Sequence, residues 1–243
     1  VHASDVALSD AMIPVLSPAG VQEIIDYGLI GFAMSRYAGV WVGLKCGHDT
    51  VESSAVIEAG PERGATVPPK DFTLPPDGLS IRPNDDRVPQ EERLHAHKIP
   101  AVKAFARANA IDRIVMQGGR APKLGIVAAG KAYLDVRQAL DDLGIDEAQA
   151  AKLGIRLLKI GMVWPLEPET VKRFAEGLDT VMVVEEKRSL IEAQLRDILY
   201  AEEKRPSVIG KADENGRLLF APFGVLEPNQ IARAVAERIR DRA

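Results

Sequence analysis

The sequence of 243 residues contains one cysteine, Cys46. A single cysteine cannot form a disulfide within the chain, and it cannot supply the several thiolates that hold a zinc ion or an iron–sulfur cluster. The sequence also has no apolar run near the ~20 residues of a membrane span, and no charged-then-apolar signal peptide opens it. We therefore expect a cytoplasmic protein with no membrane partner and no metal site.

The sequence also lacks an excess of positive charge. Its 31 lysine and arginine residues are outnumbered by 35 aspartate and glutamate residues, which gives a formal net charge of -4. The basic residues are scattered among the acidic ones, so no broad basic face is available to a phosphate backbone. We do not expect nucleic acid to be a partner.

Residues 124–143 change their hydrophobic period at one glycine. Leu124–Ala129 is a short apolar run typical of a strand buried on both faces, and after Gly130 the apolar side chains recur at helical spacing. The same order of strand and helix recurs in Ile155–Ile160 with 166–174, and in 181–184 with 189–199. Repeated units of this kind predict a three-layer, Rossmann-like α/β domain with a mainly parallel sheet over residues 112–243.

Residues 1–59 have the pattern of one helix followed by one strand. Ser17 is a suitable N-cap, and apolar residues recur on one face over 21–33. Residues 40–45 are an apolar run rich in strand-forming residues. Because the sequence also begins without methionine, we expect residues 1–59 to be the C-terminal remnant of a larger domain in an excised piece.

Residues 60–111 are predicted to connect these two parts. Seven prolines lie between residues 60 and 89, and proline removes the amide donors that a packed element needs. An interdomain linker explains this composition, and an extended arm lying on a neighbouring subunit is the alternative. Residues 90–110 return to helical spacing, with Pro100 expected to start or kink a turn.

Gly130 and Lys131 form the first candidate site. They lie where a strand leads into a helix, so backbone amides and a cation converge on a point that suits phosphate or carboxylate. An ordinary structural turn is the alternative, because the glycine pattern of a nucleotide-binding loop is absent. Residues 164–165 and 185–187 follow other predicted strands, and the carboxyl ends of parallel strands share one edge. We expect all three sets to lie together.

Other polar groups have simpler interpretations. His95 and His97 diverge on a helix, so metal binding is not expected there. Glu185 and Glu186 could pair as acid and base, but capping the next helix is the simpler role. No nucleophile or complete active site is recognisable, and the catalytic residues are unknown.

Three stretches resemble one family. Residues 13–53, IPVLSPAGVQEIIDYGLIGFAMSRYAGVWVGLKCGHDTVES, resemble the end of the pyrimidine-binding domain in the single-chain indolepyruvate:ferredoxin oxidoreductases of bacteria. Residues 124–146, LGIVAAGKAYLDVRQALDDLGID, and residues 160–200, IGMVWPLEPETVKRFAEGLDTVMVVEEKRSLIEAQLRDILY, are similar to the next domain of that family, which is like the C-terminal domain of transketolase. The resemblance covers nearly the whole chain.

The resemblance implies a thiamine diphosphate enzyme. Such enzymes decarboxylate an aryl 2-oxoacid, pass electrons through iron–sulfur clusters to ferredoxin, and form an acyl-CoA. The Gly-Asp-Gly motif that binds diphosphate and magnesium is absent here, so we expect thiamine diphosphate, magnesium and clusters only in the full-length enzyme. His2, Ser4 and Asp5 fall in a segment that could approach its cofactor cleft.

The implied role of this piece is structural. We expect it to support the dimer, to be inactive alone, and to contact the remaining domains of the full-length enzyme, with ferredoxin and CoA as partners of that enzyme. A free-standing anion- or nucleotide-binding module that uses Gly130 and Lys131 is the alternative function. Residues 1–59 should carry the dimer contact, because apolar faces that have lost their covering elements associate.

Overall fold

The computed structural model describes residues 3–80 and 82–240. Within these ranges the strands are β1 (Val15–Leu16), β2 (Gly43–Leu44), β3 (Arg113–Gln117), β4 (Leu124–Ala129), β5 (Ile155–Ile160), β6 (Met162–Trp164), β7 (Thr180–Val184) and β8 (Ser207–Ile209). The α-helices are α1 (Ser4–Asp10), α2 (Val21–Ala38), α3 (His48–Val51), α4 (Arg87–Arg93), α5 (Ile99–Ala108), α6 (Gly130–Asp142), α7 (Glu147–Leu153), α8 (Pro168–Ala175), α9 (Ile191–Tyr200) and α10 (Pro228–Ile239).

The main sheet has five strands in the order β3-β5-β4-β7-β8. All neighbours are parallel except β3, which runs antiparallel to β5. Helices α6 and α10 pack on one face, and α8 and α9 pack on the other. The predicted three-layer α/β domain with a mainly parallel sheet is therefore confirmed.

The central strand β4 shows why its sequence is apolar throughout. Ile126 and Ala128 pack with α6 and α10, whereas Val127 packs with α8 and α9. Successive side chains of a strand point to opposite faces, and here both faces are covered by helices. A strand in that position has no polar face, which accounts for its uninterrupted apolar run.

A second, three-stranded sheet joins the N-terminal part of the chain to the main sheet. Its order is β2-β1-β6, with β1 parallel to β2 and antiparallel to β6. Strand β6 follows β5 after the single residue Gly161. One strand of the C-terminal part thus completes the sheet of residues 3–59, and the division of the chain at residues 59 and 111 stays a prediction.

The expected strand over 40–45 is shorter than predicted. Only Gly43–Leu44 is a strand, and it lies at the edge of the small sheet. Trp41 is 81% exposed and Leu44 is 38% exposed. The predicted strand is thus confirmed only at Gly43–Leu44, and part of the apolar run is exposed.

Helix α2 is confirmed, but its start and its buried face differ from the prediction. It begins after Gly20 and not after Ser17. The Ser17 N–H donates to the Gly161 carbonyl (2.8 Å), so Ser17 still belongs to the extended segment that follows β1. Its buried residues include Tyr27 and Met34, whereas Phe32 of the predicted buried face is exposed. The helix ends, as predicted, at a left-handed Gly39.

The proline-rich segment packs against α2 and α5 of its own chain. Besides one 3-10 turn, Pro61–Gly64, its residues up to Asp86 form no helix or strand in the part that is described. Arg63 makes two hydrogen bonds to the Asp26 carboxylate of α2, and Leu79 is buried beside α2 and α5. A continuous helix follows, in which α4 leads through a π turn into α5.

The C-terminal part ends in a short strand, one antiparallel bridge and a helix. Strand β8 is parallel to β7, and beyond it one antiparallel bridge joins Ala212 to Leu218. Helix α10 buries Ile231, Val235 and Ile239 against the main sheet, as its spacing predicts. No helix among residues 3–80 and 82–240 is long and apolar enough to cross a membrane.

Candidate functional site

The carboxyl edge of the main sheet brings two of the predicted sites together. Gly130 and Lys131 follow β4, residues 185–187 follow β7, and the register pairs Ala128 with Val184. The two strand ends are therefore neighbours, as expected. Residues 164–165 follow β6 of the small sheet, and the residues on either side of them, Val163 and Leu166, are hydrogen-bonded to Gln194 of α9.

The Lys131 ammonium is paired within the chain. Its Nζ lies 2.7 Å from Asp135 Oδ2 and 3.4 Å from the Leu226 carbonyl oxygen. Burial lowers and the Asp135 carboxylate raises the pKa of Lys131, and the net change is a rise. The carboxylates of Glu186 and Asp49 act in the same upward direction. The cation is therefore surrounded by negative charge from its own chain.

Charged residues at this edge hold the loop of residues 222–227. Lys131 donates to the Leu226 carbonyl, and the Leu226 N–H donates to Glu186 Oε1 (3.1 Å). The Lys187 ammonium donates to the Gly224 carbonyl. The sequence predicted the positions of the strand ends but not their contacts with this loop. Those contacts join residues that are far apart in the chain.

Glu185 caps helix α9. Its carboxylate accepts hydrogen bonds from the backbone N–H groups of Leu190 (3.2 Å), Ile191 (2.9 Å) and Glu192 (3.0 Å). Burial raises the pKa of Glu185, although these N–H groups and Lys211 oppose the rise. The predicted capping role is thus observed. Glu185 and Glu186 have different partners, so they do not form an acid–base pair.

The N-terminal part of the chain covers the start of α6. A Cβ added to Gly130 would lie 2.7 Å from Ser17 Oγ, which shows how closely the two chain segments approach. Gly130 is buried, and α6 has no side-chain N-cap. The start of α6 is consequently covered by protein, and Lys131 is partly exposed beside it.

The other predicted site lies on helix α1. Ser4 begins this helix, and the Asp5 carboxylate lies 2.6 Å from the Lys45 ammonium. His2 lies outside the described residues. A surface cavity of about 490 Å³ is lined by Val6 of α1 and by residues 188–190, which follow the β7 edge. The structure therefore brings α1 to the same end of the main sheet as Lys131 and Glu185.

The described residues show no ligand set for the metal centres that the resemblance implies. No group of three or more histidine, cysteine, aspartate or glutamate side chains in the described ranges could hold a metal ion. The chain's one thiol, Cys46, is partly buried, and burial raises its pKa. A single cysteine cannot supply the thiolates of an iron–sulfur cluster.

A comparison with solved structures identifies the fold. The structure is similar to a 2-oxoglutarate:ferredoxin oxidoreductase from Magnetococcus marinus, solved with 2-oxoglutarate, coenzyme A and succinyl-CoA bound. The TM-score is 0.55 at 17% identity, and the match covers 93% of this chain and 42% of that chain. At this identity the similarity establishes a shared α/β fold.

The sequence comparisons define the family. The model of the indolepyruvate oxidoreductase domain matches residues 114–243, which is more than half of the chain. The chain therefore belongs to the indolepyruvate oxidoreductase family. Indolepyruvate oxidoreductase subunit IorA of Methanothermobacter marburgensis is 30% identical over 203 residues, and that of Pyrococcus abyssi is 29% identical over 194 residues.

These relatives are longer than the chain. The match to the M. marburgensis subunit covers 84% of this chain and 31% of the relative, and the match to the P. abyssi subunit covers 76% and 28%. The chain thus spans about a third of the length of the curated relatives it matches.

Proposed function

We propose that this chain is a non-catalytic part of an indolepyruvate:ferredoxin oxidoreductase. In the complete enzyme an aryl 2-oxoacid is oxidatively decarboxylated to an acyl-CoA, and the electrons pass to ferredoxin. Thiamine diphosphate, magnesium and iron–sulfur clusters belong, in this proposal, to other parts of that enzyme, which acts in the cytoplasm. The role of this chain is to support the fold and the subunit contact.

The family match over residues 114–243 carries this proposal. The charged residues at the carboxyl edge of the main sheet agree with a supporting role, because they are engaged in holding the chain together. Lys131 is paired with Asp135, Glu185 caps α9, and Glu186 holds the loop of residues 222–227. None of these groups is left to act on a substrate in the described part of the chain.

The subunit contact in this proposal is an apolar surface of the N-terminal part. We call it the α2 face; it comprises Ile25, Leu29, Phe32, Trp41 and Leu44, each of which is more than a third exposed. A groove of about 590 Å³ is lined by Phe32, Trp41 and Leu44 of this face, together with Gly28 and Gly31. Together the five side chains expose on the order of 600 Å² per copy, against ~800 Å² per partner in a standard interface. Two copies that pack through this face would bury on the order of 1,200 Å² in total, which is the lower end of the range for specific interfaces.

An activity assay tests the catalytic half of the proposal. The chain should be incubated with indolepyruvate, thiamine diphosphate, magnesium, coenzyme A and a viologen dye, and dye reduction should be followed under anaerobic conditions. The expected rate equals that of the heat-denatured chain. Turnover that depends on both the 2-oxoacid and the chain would contradict the proposal.

The free-standing anion- or nucleotide-binding module is the alternative, and it has less support because Lys131 is already paired with Asp135. Calorimetry with nucleotides and coenzyme A tests it. Binding that is lost in Lys131→Ala, but kept in a control variant Lys123→Ala at the opposite end of β4, would favour the module. If the unmodified chain shows no heat of binding with these ligands, the alternative function is contradicted.

A further inference from the structure

A buried carboxyl group lies where the N-terminal part of the chain meets the main sheet. Asp112 precedes β3, and its Oδ1 accepts hydrogen bonds from the N–H groups of Gly161 (2.8 Å) and Met162 (3.0 Å). These two residues form the corner at which β5 turns into β6. Because β6 pairs with β1, one carboxyl oxygen fixes the corner that joins the two sheets.

Two buried polar atoms near this corner have no hydrogen-bond partner in the described part of the chain. They are Asp112 Oδ2 and the hydroxyl oxygen of Tyr27 in α2. The Tyr27 hydroxyl lies so close to Gly161 that an added Cβ there would be 2.6 Å away. Leaving a buried carboxylate oxygen without a donor costs free energy, and a protonated carboxyl group in the same place costs less.

The charged groups nearest to Asp112 on the α8 side would not offset a negative charge on the Asp112 carboxylate. Glu167, the N-cap of α8, adds a second carboxylate whose field opposes ionisation of Asp112. Arg107 of α5 lies 2.7 Å from Glu167 and also pairs with Asp71. Its cationic charge is therefore shared by two other carboxylates.

The charged groups on the α2 side are also engaged with one another. Glu23 accepts from the Lys159 ammonium of β5 and lies 3.4 Å from Arg113 of β3. These cations neutralise Glu23 and make no hydrogen bond to Asp112. Burial, opposed by the two backbone N–H groups, raises the pKa of Asp112 to about 6.

We propose that Asp112 is a proton-dependent latch between the N-terminal part of the chain and the main sheet. With a proton on Oδ2, the carboxyl group is neutral and holds the β5–β6 corner through Oδ1. When the proton is lost, a negative charge remains in the junction, and only the N–H groups of Gly161 and Met162 donate to it in the described part of the chain. The corner then loosens, and the pairing of β6 with β1 weakens.

The direction of the effect follows from the two protonation equilibria. The pKa of Asp112 is about 6 in the folded chain and 3.8 ordinarily, so the folded state binds the proton more tightly. The contribution of this group to stability is fully present below about pH 4 and is lost as the pH rises through about 6. At most, the unfolding equilibrium constant changes on the order of 100-fold across this interval.

Tryptophan fluorescence tests the latch directly. The chain has two tryptophans, and Trp41→Phe leaves Trp164 of β6 as the sole reporter at the junction. Acrylamide quenching of Trp164 should increase at least about twofold between about pH 5 and about pH 8, with a midpoint near 6. In Asp112→Asn, quenching should lose this transition. Quenching that is flat in the unmodified background, or that keeps its midpoint and amplitude in Asp112→Asn, would overturn the proposal.

Two further variants separate the latch from other titrating groups. Glu185→Gln removes another buried carboxyl group that does not contact this corner, and it should leave the transition of Trp164 unchanged. The histidines are retained in every variant. If Asp112→Asn does not fold, Tyr27→Phe serves instead. It removes a polar neighbour and keeps the carboxyl group, so the midpoint should move to higher pH, and an unmoved midpoint would contradict the latch.

Discussion

Single residues in this protein connect elements that are distant in the sequence. Glu167 is an example, because its buried carboxylate accepts from the backbone N–H groups of Glu169 (3.1 Å) and Thr170 (2.7 Å) and also from Arg107 (2.7 Å). One side chain thus caps α8 and ties it to α5. Residues of this kind fix the geometry of the junction between the N-terminal part and the main sheet.

Replacing Glu167 should therefore cost more than replacing an ordinary helix cap. Glu167→Ala should lower the free energy of unfolding by about 2 to 3 kcal/mol, since it removes the cap and leaves Arg107 without its buried partner. The exposed cap of α7, Asp146, serves as the control, and Asp146→Ala should cost about 1 kcal/mol. Urea denaturation of both variants measures the difference, and equal losses would contradict the linking role of Glu167.

Gly39 gives a second test at this scale. Its φ is +66°, and an added Cβ would lie 1.9 Å from the Leu79 carbonyl oxygen. Gly144 has a similar φ of +69° but no atom within 4 Å of that position. Gly144→Ala should cost about 1 kcal/mol from backbone strain alone. Gly39→Ala should cost clearly more and should make residues 60–80 more susceptible to proteolysis, and equal effects would show that the segment is not held there.

At the scale of elements, the sequence predicted what depends on local periodicity. The strands β4, β5 and β7 and their helices were predicted because burial on both faces gives continuous apolar runs. The face of α2 was assigned wrongly because Ile25, Leu29 and Phe32 are as apolar as the residues that are buried, so periodicity alone could not choose between two faces. Strand β6 has three residues directly after β5, which is too short for a separate signal.

The contacts of the candidate site could be predicted only in part. The positions of Gly130, Lys131 and Glu185 at strand ends follow from the order of strands and helices, and so does the capping role of Glu185. The hydrogen bond from the Lys131 ammonium to the Leu226 carbonyl joins two residues that are 95 positions apart. The side-chain partners of Asp112 likewise depend on tertiary packing, which no local pattern encodes.

The attachment of the proline-rich segment to α2 should depend on pH. The Arg63 hydrogen bonds lower the pKa of Asp26, so this pair stabilises the fold above the ordinary pKa of 3.8 and the stabilisation is lost as the pH falls. Arg63→Gln should lower the urea midpoint near neutral pH and have a vanishing effect below about pH 3. Lys172→Gln, which removes a pair with Glu202 in which both side chains are 41% exposed, should change the midpoint little at either pH. An effect of Arg63→Gln that does not depend on pH would contradict the role of the pair.

At the scale of the whole molecule, the two ends of the chain differ in how well they are covered. The main sheet has helices on both faces, whereas the small sheet has an open edge at β2 and the α2 face beside it. Open strand edges and large apolar patches are sites of association. The proposed assembly role rests on this open edge and on the α2 face.

Light scattering after size-exclusion chromatography measures this assembly role most directly. The chain should elute at twice its mass of 26.3 kDa, and Phe32→Ser combined with Trp41→Ser should return it to the single mass. Phe223→Ser is the matched control, because Phe223 is 70% exposed and Phe32 is 67% exposed, but Phe223 lies on the loop of residues 222–227; this variant should remain a dimer. A chain that is monomeric at every concentration, or a double variant that still dimerises, would contradict the assembly role.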